Sequence, residues 1–201
     1  NIYDVNVPLV KAFCSDYALE CISAALQIYG GYGFTEEYPA AELYRDARIY
    51  PIWEGTNYIQ GMDLVGRKMT MKQGQVFAVW LQEITDFVET NSNNSEFTRE
   101  FELMKKAEQQ FGELQTILNS WREEGKKDMI KRFATRILHA TSKLYAAKRL
   151  LEIALIAQNR INEIGKDHHD YHFYQGKVAS ARFFTRNILP EIGALVDIMQ
   201  E

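Results

Sequence analysis

Proline is scarce in this chain, occurring only at Pro8, Pro39, Pro51 and Pro190, so the segments between are free to run as long uninterrupted elements. No run of about 18 apolar residues exists, which excludes a spanning helix, and no signal-peptide pattern is visible. Charge of one sign is also lacking. The formal net charge is -4, so there is no electrostatic footprint for nucleic acid or an anionic membrane. Cysteine is limited to Cys14 and Cys21. On a helix a seven-residue separation puts them roughly 10 Å apart along the axis, whereas a disulfide needs Cα atoms within roughly 7 Å. They therefore do not pair with each other. The expected role of both is that of small buried apolar residues in a reducing, cytoplasmic compartment.

What is present is 201 residues of ordinary globular composition, 46% hydrophobic and 25% charged, enough for one large or two small domains. Alternating strand patterns are absent and helical periodicity dominates. The expectation is an all-α fold of antiparallel helical bundles with no sheet. A first helix starts near Pro8, with Val10, Phe13, Cys14, Tyr17, Cys21, Ala24, Ala25 and Ile28 as its apolar face, and ends at Gly30-Gly31. "GGYGFTEEYP" (30–39) reads as a glycine-rich turn rather than a regular element. A short helix before Pro51 and another from about Glu54 toward Met69 follow. "MKQGQ" (71–75) is a boundary candidate. Beyond it, helices are expected over 76–89, 97–124, 127–163 and 168–188, with a short one after Pro190.

Three features of the first part stand together: Gln27 leading into Gly30-Gly31-Tyr32-Gly33, then Arg45-Asp46, then Trp53-Glu54-Gly55-Thr56. Each alone has a bland explanation. Glycines make turns. Arg45 and Asp46 suit a structural ion pair or a solvated face. Glu54 suits the first turn of a helix, where the macrodipole favours an acid.

In that order and without a gap, "LQIYGGYGFTEEYPAAELYRDARIYPIWEGTNYIQ" (26–60) closely resembles the C-terminal region of acyl-CoA dehydrogenases. Residues 1–73 resemble the last helices of that family's C-terminal four-helix domain. Residues 74–201 resemble the additional helical C-terminal domain of its longer members. The resemblance implies a flavoenzyme that converts an acyl-CoA to the trans-2-enoyl-CoA. Glu54 is implied as the base that removes the α-proton, and its backbone N–H as a contact to the thioester carbonyl, with Gly55 letting substrate approach. Gln27, Gly30, Gly31 and Thr56 are implied as contacts to FAD, much of which a neighbouring subunit would hold. Tyr58 stands where the family often has a second polar contact, and Gln60 is a possible replacement. Arg45-Asp46 is implied as a brace for the loop before the base. Implied partners are an acyl-CoA, an electron-transfer acceptor and further copies in a homo-oligomer.

The residue types fit that chemistry. Hydrogen bonds to the carbonyl stabilise the enolate-like charge as it develops. An apolar wall raises a carboxylate toward a useful base, and Ile52 and Trp53 are candidates for that wall. Beginning at Asn1 inside an apolar segment, the chain is expected to be a piece of a longer protein, and by itself neither to hold flavin well nor to turn over substrate. The alternative is a helical interaction or oligomerisation module that kept the fold and lost the chemistry.

The second part offers less chemistry. His168 and His172 in "DHHDYH" (167–172) have helical i, i+4 metal-ligand spacing, but the rest of a zinc motif is absent. The expectation is capping and surface contacts, with no metal. Basic residues at Lys126, Lys127, Lys131, Arg132, Arg136, Lys143, Lys148 and Arg149 follow an acidic 96–124 stretch. They are read as solvated or mutually attractive helix faces, with membrane docking as the lesser alternative. Phe183, Phe184, Ile188 and Leu189 are expected in a core.

Overall fold

The computed structural model describes residues 2–201, and among these there is no strand. The helices are α1 (Asn6–Tyr29), α2 (Gly31–Phe34), α3 (Pro39–Ala47), α4 (Asn57–Gly66), α5 (Gln75–Asn91), α6 (Thr98–Glu123), α7 (Lys127–Ile164), α8 (Tyr171–Asn187) and α9 (Glu191–Gln200). Short 3-10 turns occupy Ile2–Val5 and Lys68–Thr70. The all-α expectation holds. None of the described helices is long and apolar enough to cross a membrane.

The chain forms two compact units. One comprises the described residues through Ala78 together with Asp128–His139; the other comprises Val79–Lys127 and Ala140–Glu201. In the first, α1 packs on α3 and α4. Its core is small: Val5, Leu9, Ala12, Phe13, Leu64, Val65 and their neighbours. α3 starts with Pro39 at its first turn, where the missing N–H is no loss. α1 ends at Gly30, whose φ of 61° lies in the left-handed region. α4 meets α7 at Gly61, where an added Cβ would sit 2.9 Å from the carbonyl carbon of Ala134.

The second unit has a fuller core. α6 repeats Phe101, Met104, Ala107, Phe111, Leu114, Leu118 and Trp121, a stripe at spacings of three and four that faces α8 and α9. Trp80, Ile84 and Val88 form a buried stripe at spacings of four on α5. The Trp80 and Tyr145 rings stack with centroids 5.5 Å apart. Glu100 is buried at 1% exposure and is neutralised by Arg186 of α8, whose Nε donates to it at 2.6 Å.

Several expectations are corrected. The buried face of α1 is Pro8, Leu9, Ala12, Phe13 and Ser15, while Val10 and Ile28 are exposed, because the register is set by what α3 and α4 offer. Cys14 and Cys21 lie on the exposed side and are free thiols. The glycine turn contains a short helix, α2. Phe183 is exposed at 62%, whereas Phe184 and Leu189 are buried and Ile188 is intermediate: only one flank of α8 meets α6. The basic stretch is no uniform solvated face. Lys148 is buried, paired with Glu152 at 2.9 Å and lying over the Phe87 and Tyr145 rings. Lys143 pairs with Glu191 of α9, and Arg149 with Glu152 of its own helix.

Gly61→Ala should lower stability by about 1–3 kcal/mol, since a methyl group there presses on backbone rather than on a side-chain end. Urea unfolding measures it. An unchanged midpoint would mean that α7 yields at Ala134 without loss.

Candidate active site

The acid of "WEGTN" does not start a helix. α4 begins at Asn57, and Thr56 is its N-cap, with Oγ1 accepting the Ile59 N–H at 3.3 Å. Glu54 lies ahead of the cap in a turn with φ 52°, and Gly55 follows with φ 83°. Two consecutive left-handed residues, one of them not glycine, cost about 1–3 kcal/mol unless the surroundings over-determine them. The turn is closed before Glu54 by the Trp53 N–H on the Ile49 carbonyl at 3.1 Å. It is closed around Glu54 by the Asn57 N–H on the Pro51 carbonyl, also at 3.1 Å. The Gln60 side chain reaches back to the Gly55 carbonyl. The Glu54 N–H and carboxylate make no hydrogen bond to a described residue.

Asn57 anchors this turn. It is buried, and its Nδ2 lies 2.7 Å from Asp16 Oδ1, 2.9 Å from Ser15 Oγ and 3.2 Å from the Ala12 carbonyl. Its Oδ1 accepts from Lys11 Nζ at 2.8 Å. The other carboxylate oxygen of Asp16 meets His139 Nε2 of α7 at 2.9 Å. Burial holds the Lys11 amine below its ordinary pKa, and the negative charges of Asp16 and Glu54 oppose that shift.

Lys11, Cys14, Ser15 and Ala18 of α1 face Tyr50, Trp53 and Glu54 across a cleft of about 420 Å³. Trp53 thus supplies an apolar wall, half-exposed, while Ile52 is not part of that cleft. Gln27, Gly30 and Gly31 lie at the exposed end of α1, also outside the cleft. A Cβ on Gly31 would meet nothing, so internal packing does not demand a glycine there. Arg45 pairs with Glu36 at 3.4 Å rather than with Asp46, and both partners are exposed.

The histidines form a different group from the spacing pair. α8 begins only at Tyr171, so His168 is outside the helix and shares no helical face with His172. His168 instead stacks on His169 and accepts the Asp170 N–H at Nδ1, 3.2 Å away. His168, His169 and Asp170 bring one potential ligand atom each within 4.8 Å of one another at the surface. His172 meets the Gln175 amide.

Lys11, Ser15, Asp16, Asn57 and His139 did not stand out in the sequence. The available signal was the pair Lys11 and Ser15, polar residues four apart on one flank of an apolar helix, and the asparagine directly after the E-G-T run.

Residues 3–69 match the family description "Acyl-CoA dehydrogenase, C-terminal domain", and residues 80–201 match "Acetyl-CoA dehydrogenase C-terminal like". A butyryl-CoA dehydrogenase of Syntrophomonas wolfei is 42% identical over 200 residues, covering 100% of this chain and 32% of the relative. A 3-methylmercaptopropionyl-CoA dehydrogenase of Ruegeria pomeroyi is 32% identical, over 94% of this chain and 31% of that one. The fold matches a crystal structure of a Bacillus anthracis acyl-CoA dehydrogenase complexed with FAD at a TM-score of 0.71 and 24% identity, over 97% of this chain and 32% of that one. The chain belongs to the acyl-CoA dehydrogenase family. It spans about a third of the length of these relatives.

Asn57→Ala should destabilise the first unit by about 1–3 kcal/mol, because Asp16, Ser15 and Lys11 all lose a buried partner. Thermal unfolding checks this. A change below a few tenths of a kcal/mol would show that water replaces the amide freely.

Proposed function

We propose that this chain is the C-terminal part of a flavin-dependent acyl-CoA dehydrogenase, with Glu54 as the base that removes the α-proton of an acyl-CoA. The observation that carries the reading is the Glu54 turn: a carboxylate and a backbone N–H, both without a hydrogen bond to any described residue, held in a left-handed turn at the wall of a partly apolar cleft. Such a pair suits a thioester. In this reading the N–H of Glu54 donates to the carbonyl oxygen, which gains negative charge as the Cα–H bond breaks. The carboxylate takes that proton, and exclusion of water by a bound acyl chain strengthens it as a base. Gly55 leaves the backbone open beside it. FAD, when bound, supplies the acceptor for the β-hydride.

Gln27, Gly30, Gly31 and Thr56 are the residues of this chain that would touch that cofactor. They fit an edge contact. Gly31 presents open backbone, and Thr56 Oγ1 accepts the Ile59 N–H while its own hydrogen remains available to donate. They do not build an enclosing pocket. The remainder is assigned to the rest of the longer protein and to a neighbouring copy in a homo-oligomer, with electrons passing on to an electron-transfer acceptor. In the same reading, residues 1–73 complete the family's four-helix domain and residues 74–201 form the additional helical domain.

Glu54→Gln in the full-length protein should keep flavin and lower turnover of an acyl-CoA by about 10²–10⁴-fold. Wild-type turnover in that variant would remove Glu54 from the role of base. The 201-residue chain purified alone should be colourless and inactive in dye-linked acyl-CoA oxidation; robust turnover would overturn the assignment of the missing contacts to the rest of the protein.

A further inference from the structure

The short link between α7 and α8 carries a group of donors that the chemistry above does not use. α7 ends at Ile164 and α8 begins at Tyr171. The link turns just before α8, where the Tyr171 N–H donates to the His168 carbonyl at 3.0 Å. The His168 and His169 rings stack there with centroids 4.3 Å apart. His169 Nε2 lies 3.4 Å from Asp170 Oδ1. Two ligands of one tetrahedral ion, each at about 2.0–2.2 Å, stand roughly 3.3–3.5 Å apart, so this pair already has the spacing that an ion requires. The ligand atom of His168 is within 4.8 Å of the other two. The His169 and Asp170 side chains are 82% and 47% exposed, so the rotations that close that gap meet little packing. Among the described residues no other three His, Cys, Asp or Glu side chains gather this closely, which separates the group from ordinary scattered surface acids.

We propose that His168, His169 and Asp170 form a binding site for a divalent transition-metal ion of the Zn²⁺ type, with water completing its coordination. Two imidazoles and one carboxylate suit such an ion, whereas Mg²⁺ and Ca²⁺ take oxygen ligands. The Asp170 N–H donates to His168 Nδ1 at 3.2 Å, which marks Nδ1 as the lone-pair nitrogen of the neutral ring. An ion at that nitrogen replaces one long hydrogen bond at the surface. The start of α8 disfavours a cation, and the Asp170 carboxylate offsets that within the site. The affinity expected of three surface ligands is on the order of ten micromolar, far weaker than that of the closed sites that fold zinc fingers. The group lies in the second unit and takes no part in the reaction proposed for Glu54, so the inference goes beyond that reading and is tested separately from it.

The test is calorimetric titration of chelator-treated, full-length, flavin-loaded protein with ZnCl₂ at neutral pH. Cys14→Ser and Cys21→Ser are included in every sample, because both free thiols are exposed and bind zinc in their own right. His168→Ala and His169→Ala should each weaken one equivalent of binding by about tenfold or more. His172→Ala should leave it unchanged, since that ring meets Gln175 instead. Excess Mg²⁺ should not compete. In the wild-type protein the ring resonances of His168 and His169 should shift on zinc addition while those of His172 stay in place. Binding that is identical in wild type and the His168→Ala/His169→Ala double variant would overturn the proposal. So would loss of the equivalent in His172→Ala with retention in His169→Ala, which would restore the helical pair in place of this group. Circular dichroism checks that the variants fold, and if the double variant does not, unmoved His168 and His169 resonances in the wild-type protein overturn the proposal by themselves.

Discussion

One buried amide carries the candidate site. The Glu54 turn is exposed, contains two left-handed residues and has few contacts of its own. Left to itself, such a turn would relax. Asn57 prevents this by placing both ends of its amide among Lys11, Ser15, Asp16 and the Ala12 carbonyl, a set of partners supplied by consecutive turns of α1. The amide is buried, so moving the turn would strip several polar groups of their partners at once, at about 1–3 kcal/mol for each one left unsatisfied. His139 extends the same constraint to α7 through Asp16. The close approach of Gly61 to Ala134 then holds α4 against that helix.

The two units solve the burial problem differently. The second covers long apolar stripes on α5 and α6 with α7, α8 and α9, and leaves few large apolar side chains exposed. The first leaves many of its aromatics in the open, among them Tyr29, Tyr32, Phe34, Tyr50, Trp53 and Tyr58. Such exposure of large aromatics is what a partner surface covers when one is present. It accords with a chain that spans about a third of its relatives' length, and with the reading that flavin and acyl-CoA are enclosed by parts beyond these residues.

Much of the architecture was legible because helical periodicity and punctuation act locally. The glycine after Tyr29, the proline before α9 and the polar 90–96 loop all mark helix ends close to where they fall. The misses share a cause. The apolar stripe chosen for α1 ran through Val10, Cys14 and Ile28, but periodicity cannot say which of two neighbouring faces a partner covers, and the face with Leu9, Ala12 and Ser15 is the one buried. Phe183 failed in the same way beside Phe184. The His168 and His172 pairing assumed a helix that begins three residues later than His168. Lys11 and Asn57 were invisible as a pair because 46 residues separate them.

The sequence by itself determined the helical class, the order of the helices, the family resemblance and the identity of Glu54 as the acid of interest, since these depend on residue type, spacing and short-range order. Only the tertiary structure decided that Glu54 stands in a left-handed turn rather than in a helix, that Trp53 and not Ile52 walls its cleft, and that Lys11 shares that cleft. Those outcomes depend on which faces of α1 and α4 come together. That choice is made by buried hydrogen bonds between residues far apart in the chain, and no local pattern records it.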